Sequence, residues 1–201
     1  MKTTVPRLSL VFATLIATHG TSGQAADVTF LDGGYAELCS VVAKQVERPS
    51  AVQLTGSRLD FTPLQICSFA INEESTSRPV AAGNYNNRGV IQFSKLAYGE
   101  AIRDFERAID LQPSLGVAYI NLAYAYVAQQ KWADAIEPYT KGIELGVEDQ
   151  AKALLNRGIA YEEIGRIREA YQDYVAASQL APEWEDPKRE LTRFTVRSSS
   201  N

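Results

Sequence analysis

A 34-to-35-residue echo governs the carboxy-terminal half of this chain. Asn87, Asn121 and Asn156 recur in step with Ala101, Ala135 and Ala170, and with Phe105, Tyr139 and Tyr174. Self-similarity at that period marks a helical solenoid, in which one helix pair cannot bury its apolar face alone and stacks on the next. The copies run over residues 82–115, 116–149 and 151–184. Gly89, Ala123 and Gly158 are the small residues at which the first helix of each pair approaches the second, and the aromatic rings fill the wider gaps.

Each copy splits into two helical stretches. In the first, Tyr85, Val90 and Phe93 lie on one helix, and Ala101, Ile102, Phe105, Ala108, Ile109 and Leu111 then recur at three- and four-residue steps on the next. Pro113 and Pro182 stop the second helix of copies one and three, since proline cannot continue a helix and disfavours helical geometry in the residue before it. The middle copy departs from this pattern: Gly146-Val147 replaces the proline, Gly142 stands where alanine is usual, and Pro138 falls inside the second helix. An interior proline removes a backbone hydrogen bond at a cost of about 3 kcal/mol, so a kink or widened turn is expected there.

With Asn, Gly/Ala, Ala and aromatic residues at these fixed places, residues 82–184 resemble the tetratricopeptide repeat family. The resemblance implies an all-α superhelical solenoid of three helix pairs. In that family the first helices line a concave groove that takes protein or peptide ligands.

At 201 residues, 45% hydrophobic and 22% charged, the chain has the composition of an ordered domain with a core. Lys2 and Arg7 precede an apolar stretch from Leu8 to Ala17, and Gly23-Gln24-Ala25 offers small residues for cleavage. That is the form of a signal peptide over residues 1–25. The stretch is too short for a bilayer, which needs about 20 apolar residues, and no later segment is long and apolar enough, so no integral membrane segment remains after cleavage. A retained leader acting as an anchor is the alternative. The expectation is an exported protein, with a bacterial periplasm the leading destination. Loss of the two leader cations takes the formal charge from −4 to −6. An acidic chain without a basic cluster is a poor partner for nucleic acid.

Export changes how the two cysteines read. Cys39 and Cys67 are the only pair, and an oxidising compartment favours a structural disulfide between them. A redox-active pair would want the Cys-x-x-Cys spacing that is absent here. Each begins a short helical pattern, and Thr62-Pro63 suits the start of the second helix as cap and first turn. Residues 26–81 thus form an amino-terminal cap with a connector over 72–80, and Cys67-x-x-Ala70-Ile71 echoes Phe105-x-x-Ala108-Ile109 as a degenerate half-repeat. Val52, Leu54, Leu59 and Phe61 alternate with polar residues as in a small hairpin, although an irregular loop fits equally. Asp186-Pro187 opens a capping helix over 185–197 with Leu191 and Phe194, and residues 198–201 form a frayed tail.

The only histidine is His19, in the leader, so the exported chain has none. That removes Ser-His-Asp and Cys-His nucleophile systems and any histidine-held metal. No glycine-rich phosphate loop follows a strand pattern. Glu162 and Glu163 are neighbours on a helix and do not point together, which suits a solvated face better than acid-base chemistry. No catalytic residue, metal ligand or cofactor is expected.

Arg88 and Arg157 stand where the family usually has leucine, and Asp104 and Asp173 follow each by sixteen residues. In the middle copy Leu122 and Pro138 occupy both places. Charges present together and absent together predict structural Arg–Asp bridges between paired helices. Ligand-binding arginines are the alternative.

The family's ligand-facing places fall on Asn86, Asn87, Val90 and Phe93, on Ile120, Asn121, Tyr124 and Val127, and on Lys152, Leu155, Asn156, Ile159, Glu162 and Glu163. An asparagine ladder offers donors and acceptors to an extended backbone, with Phe93 and Tyr124 as apolar anchors and Lys152 as a cation. The other reading has the asparagines bonding neighbouring helices. Some members clamp a chaperone-tail carboxylate with two lysines, two asparagines and an arginine. Only Asn121 and Lys152 match, while Asn86, Val90 and Asn156 replace the rest, which disfavours that ligand. The reading reached is a non-catalytic scaffold of the bacterial cell envelope that captures an extended segment in its groove. The alternative is a structural subunit docking through its convex face or cap, its groove filled by its own amino-terminal segment. Nothing in the sequence supports a homo-oligomer.

Overall fold

The computed structural model describes residues 35–47, 62–72 and 77–194. The expected leader, the hairpin over 52–61 and the tail 198–201 lie outside them. Among the described residues all regular structure is helical: α1 (Tyr35–Glu47), α2 (Pro63–Asn72), α3 (Arg78–Ser94), α4 (Tyr98–Leu111), α5 (Gly116–Ala128), α6 (Trp132–Glu144), α7 (Gln150–Glu163), α8 (Ile167–Leu180) and α9 (Glu185–Leu191). None of these helices is long and apolar enough to cross a membrane. Pairs α3/α4, α5/α6 and α7/α8 stack in order, each outer helix also packing on the inner helix of the next pair. This is the solenoid the period implies.

What sets the spacing within a pair is a ring against a bare backbone. A Cβ placed on Gly89 would stand 2.5 Å from the Phe105 ring, and one on Gly158 would stand 2.6 Å from the Tyr174 ring. Gly142 has the same use in reverse, because a Cβ there would meet Ile120 Cδ1 at 2.5 Å. The alanine usual at that place gives way to a larger residue on the facing helix.

Each inner helix ends in one turn of common form. The amides of Leu96, Gln130 and Gly165 bond the carbonyls of Phe93, Val127 and Glu162, and the amides of Ala97, Lys131 and Arg166 reach back to Gln92, Tyr126 and Tyr161. This paired capping needs a left-handed residue, and all three comply, at φ 63° for Leu96, 59° for Gln130 and 79° for Gly165. Only the third copy uses the glycine that such a site favours.

At the amino end α2 opens with a reciprocal cap: the Thr62 amide donates to Gln65 Oε1 at 2.8 Å and the Gln65 amide to Thr62 Oγ1 at 3.3 Å. Cys39 and Cys67 bring their sulfurs to 2.13 Å, their Cα atoms 4.6 Å apart. Leu38, Cys39, Val42 and Ala43 of α1 share one core with Ile66, Cys67 and Ala70 of α2 and Ile91 of α3. Asn84 of α3 donates to the Ala70 carbonyl at 3.2 Å, serving the open end of α2.

Pro138 lies inside α6, with helix on both sides of it and its ring buried. Two expectations need correction. The connector does not reach residue 80, because Ser77 precedes the helix and Pro79 takes its first turn, so α3 starts at Arg78. The final helix stops at Leu191, and Phe194 lies beyond it, packed on Tyr171 and Tyr174 with ring centres 5.6 and 5.8 Å away.

Candidate functional site

Arg88 meets Asp104 side-on through two parallel hydrogen bonds, Nε to Oδ2 and Nη2 to Oδ1, both 2.7 Å. Arg157 meets Asp173 in the same way, at 2.8 and 2.7 Å. Both carboxylates are buried and both guanidiniums are mostly covered. The hydrogen bond to its aspartate raises each arginine's pKa against the burial that opposes it, so the charge stays fixed. These four residues face each other between helices rather than a ligand.

The third arm of each arginine was not legible in the sequence. Arg88 Nη1 donates to Ser68 Oγ of α2 at 3.2 Å, and Arg157 Nη1 donates to Thr140 Oγ1 of α6 at 2.9 Å. Both hydroxyls in turn bond the carbonyl four residues back, Leu64 and Ile136. Each arginine therefore ties three helices. Ser68 and Thr140 occupy the same place, one residue after Cys67 and Tyr139, and that shared position is the signal that could have found them.

The inner helices α3, α5 and α7 carry the asparagines, but these amides do not stand open to solvent. Asn86 and Asn121 are fully buried, with Asn87 2% and Asn156 8% exposed. Asn121 Nδ2 donates to Asn86 Oδ1 at 3.0 Å, and Asn156 Nδ2 to the Tyr124 hydroxyl at 3.4 Å. The expected ladder is thus a set of bonds between neighbouring inner helices. Asn86 Nδ2 and Asn87 Oδ1 are buried and find no partner among the described residues. Tyr124 is edge-on to Tyr139 at 5.7 Å, and burial pushes both phenols above their ordinary pKa. Phe93 is half-buried, with Tyr98 edge-on at 5.1 Å. Lys152 is half-buried, near the start of α7, where Asp149 caps the helix by accepting from its amide. Glu162 accepts from the Tyr174 hydroxyl at 2.9 Å and pairs with Arg193, so it holds the end of the array. Among the described residues no group of three or more His, Cys, Asp or Glu side chains is placed to hold a metal.

Comparison with known proteins gives this arrangement its relatives. The family described as Tetratricopeptide repeat matches residues 82–115 and 151–183, leaving the divergent middle copy between two matches. Over 101 residues the chain is 33% identical to the Protein STIP1 homolog of Dictyostelium discoideum, half of this chain but 18% of that protein. Among solved structures it resembles the first TPR of Spaghetti (RPAP3) bound to the HSP90 peptide SRMEEVD, with a TM-score of 0.54 and 26% identity, covering 61% of this chain and 94% of that one. The MamA RS-1 ArsTM double mutant shares the fold over 80% of this chain and 83% of its own, with a TM-score of 0.62 at 15% identity.

Proposed function

The chain is a tetratricopeptide-repeat protein, and from that premise we propose that it is a non-catalytic scaffold capturing an extended segment of a protein partner across α3, α5 and α7. One observation carries the reading. The repeats matched at 82–115 and 151–183 fold here as stacked helix pairs like those of a similar domain bound to an HSP90 peptide, which supports a peptide as the class of ligand. On the inner helices Phe93 and Lys152, unlike the buried asparagines, keep part of their surface exposed to receive it. The tail-carboxylate ligand itself is disfavoured, since Asn86, Val90 and Asn156 supply neither the second lysine nor the arginine of that clamp.

The setting we propose is the bacterial cell envelope, reached through cleavage of residues 1–25, where an oxidising compartment would keep Cys39 and Cys67 joined. Crosslinking in intact cells followed by capture tests the working face. Phe93→Asp with Lys152→Glu alters the trough, while Arg103→Glu with Arg107→Glu alters exposed positions of the outer helix α4. Partner capture is expected to fail in the first variant and persist in the second, both melting near the parent. The opposite result would assign the partner to the convex face.

A further inference from the structure

The charges of the inner helices all lie on α3 and α7, since α5 has none. Arg78 Nη2 donates to the Asp110 carbonyl at 3.4 Å, Arg88 and Arg157 hold Asp104 and Asp173, and Glu162 pairs with Arg193. Lys152 and Glu163 of α7 form no ion pair among the described residues. The two share a face. Eleven residues turn through about 1100°, which is about 20° past three full turns, so Glu163 stands nearly in line with Lys152 and about 16 Å along the axis. Ile159 falls on the same line, between buried Leu155 and Asn156. Lys152 and Ile159 are half-buried and Glu163 is exposed, so this ridge keeps surface open along its length.

We propose that a second copy of this chain docks on this ridge, α7 against α7 in antiparallel sense about a two-fold axis. A ridge with a cation at one end and an anion at the other is complementary to itself reversed, which is what a closed, isologous contact requires. Lys152 of each copy then meets Glu163 of the other, and both unpaired charges find partners. Docking in the parallel sense would set lysine on lysine and glutamate on glutamate, so charge alone selects the antiparallel arrangement. Helices packed about 8–10 Å apart bring long side chains on facing ridges within reach of each other. Ile159 lies close to the midpoint of the ridge, so the two copies place their isoleucines beside each other at the axis. Two ion pairs and one apolar contact make a small interface, and the association is weak and reversible. It goes beyond the capture of a segment and stands without it. Because Lys152 belongs to both, a captured segment and a second copy compete for the trough.

Sedimentation equilibrium of the full chain, carried to the limit of its solubility, tests this. A reversible monomer–dimer equilibrium is expected. Lys152→Glu alone and Glu163→Lys alone should each weaken it by about tenfold or more, because each reversal acts twice across the axis and sets like charges together. Lys152→Glu with Glu163→Lys in one chain restores both pairs with their polarity exchanged, so dimerisation should return close to the native value. Mixing the two single variants should likewise give dimers that neither forms alone, which also shows that both are folded. A chain that stays monomeric throughout would leave the ridge to a different protein and overturn the proposal. Dimers indifferent to the single reversals would place the contact elsewhere. Single losses that neither the combined variant nor the mixture recovers, with helicity and melting unchanged, would equally remove the antiparallel pairing. The capture experiment reads a different partner, so its failure leaves this result untouched, and a monomeric chain leaves capture untouched.

Discussion

Arg88 and Asp104 stand sixteen residues apart on facing helices and share two hydrogen bonds of 2.7 Å, and the pair that replaces them alternates along the array. Aligned on Cys67 and Ala70, the α1/α2 pair carries buried Leu38 and Ile66 at these places, α3/α4 carries Arg88 and Asp104, α5/α6 carries Leu122 and Pro138, and α7/α8 carries Arg157 and Asp173. The apolar pairs supply Ser68 and Thr140 on their outer helices, the hydroxyls that take the next arginine's remaining arm. Ionic and apolar pairs thus interlock, so no charge is buried without an acceptor.

Removing one member of an ionic pair strands the other. Arg88→Leu is expected to cost about 3 kcal/mol by leaving the Asp104 carboxylate buried and unpaired, while Arg88→Leu with Asp104→Leu recovers most of it. Urea unfolding of the four-member cycle measures the coupling, and strictly additive losses would dissolve the pair. Thr140→Val should cost about 1 kcal/mol more than a surface threonine substitution, since it unpairs one guanidinium arm.

The left-handed turns predict gains. Leu96 and Gln130 hold positive φ with side chains that resist it, so Leu96→Gly and Gln130→Gly are each expected to stabilise by about 0.5–1 kcal/mol. Gly165→Ala, at the equivalent turn, should lose about 1 kcal/mol. A falling melting temperature in both glycine variants would refute the shared capping geometry.

Gly158→Ala tests the close approach inside a repeat. Its new methyl would overlap the Tyr174 ring with the Ala170 carbonyl 3.3 Å behind it, and overpacking of this kind costs about 1–3 kcal/mol. Gly142→Ala meets Ile120 Cδ1 and Cγ1 at 2.5 and 2.8 Å and the Gly116 carbonyl at 3.2 Å, and since an isoleucine's terminal carbons yield more readily than a ring, the smaller of the two losses is expected there. Calorimetry on the two variants ranks them.

Opening the Cys39–Cys67 link frees a loop of 27 intervening residues, worth about 3.5 kcal/mol on loop-closure entropy. Reductant, or Cys39→Ser with Cys67→Ser, should lower the urea midpoint accordingly. Thiol counting on protein from intact cells checks the bond, and two free thiols there would speak against an oxidising compartment.

Alkaline pH should unfold this chain more readily. Burial raises the phenols of Tyr124, Tyr139 and Tyr174 above their ordinary value, which means the folded state favours their neutral form. The unfolded chain ionises them near pH 10, so their contribution is intact below about pH 10 and is lost as pH climbs through the folded values. Urea midpoints and phenolate absorbance across that range should fall and rise together. A flat midpoint would show that the rings are not held neutral.

The repeat was legible because a solenoid writes its packing into a fixed interval. Gly89 and Phe105 had to recur as Gly158 and Tyr174 for the same helix spacing to recur, and Arg88 with Asp104 announced itself by appearing and vanishing jointly. Terminators such as Pro113 act on the residue beside them, so they too were visible in one dimension. Local chemistry was also silent in places: only Gly165 of three equivalent turn residues showed its conformation, while Leu96 and Gln130 gave no sign of theirs.

What the chain order alone settled is therefore the unit, its period, and the partners fixed at constant separation. Tertiary structure decided the rest, because it depends on which faces meet across repeats. Ser68 reaches Arg88 over twenty residues and Thr140 reaches Arg157 over seventeen, an offset set by the lengths of the intervening turns. Asparagine's side chain serves a ligand or a neighbouring helix with equal ease, so its type could not say which. Only the approach of α3 to α5, and of α5 to α7, turned Asn86, Asn121 and Asn156 inward to bond between helices.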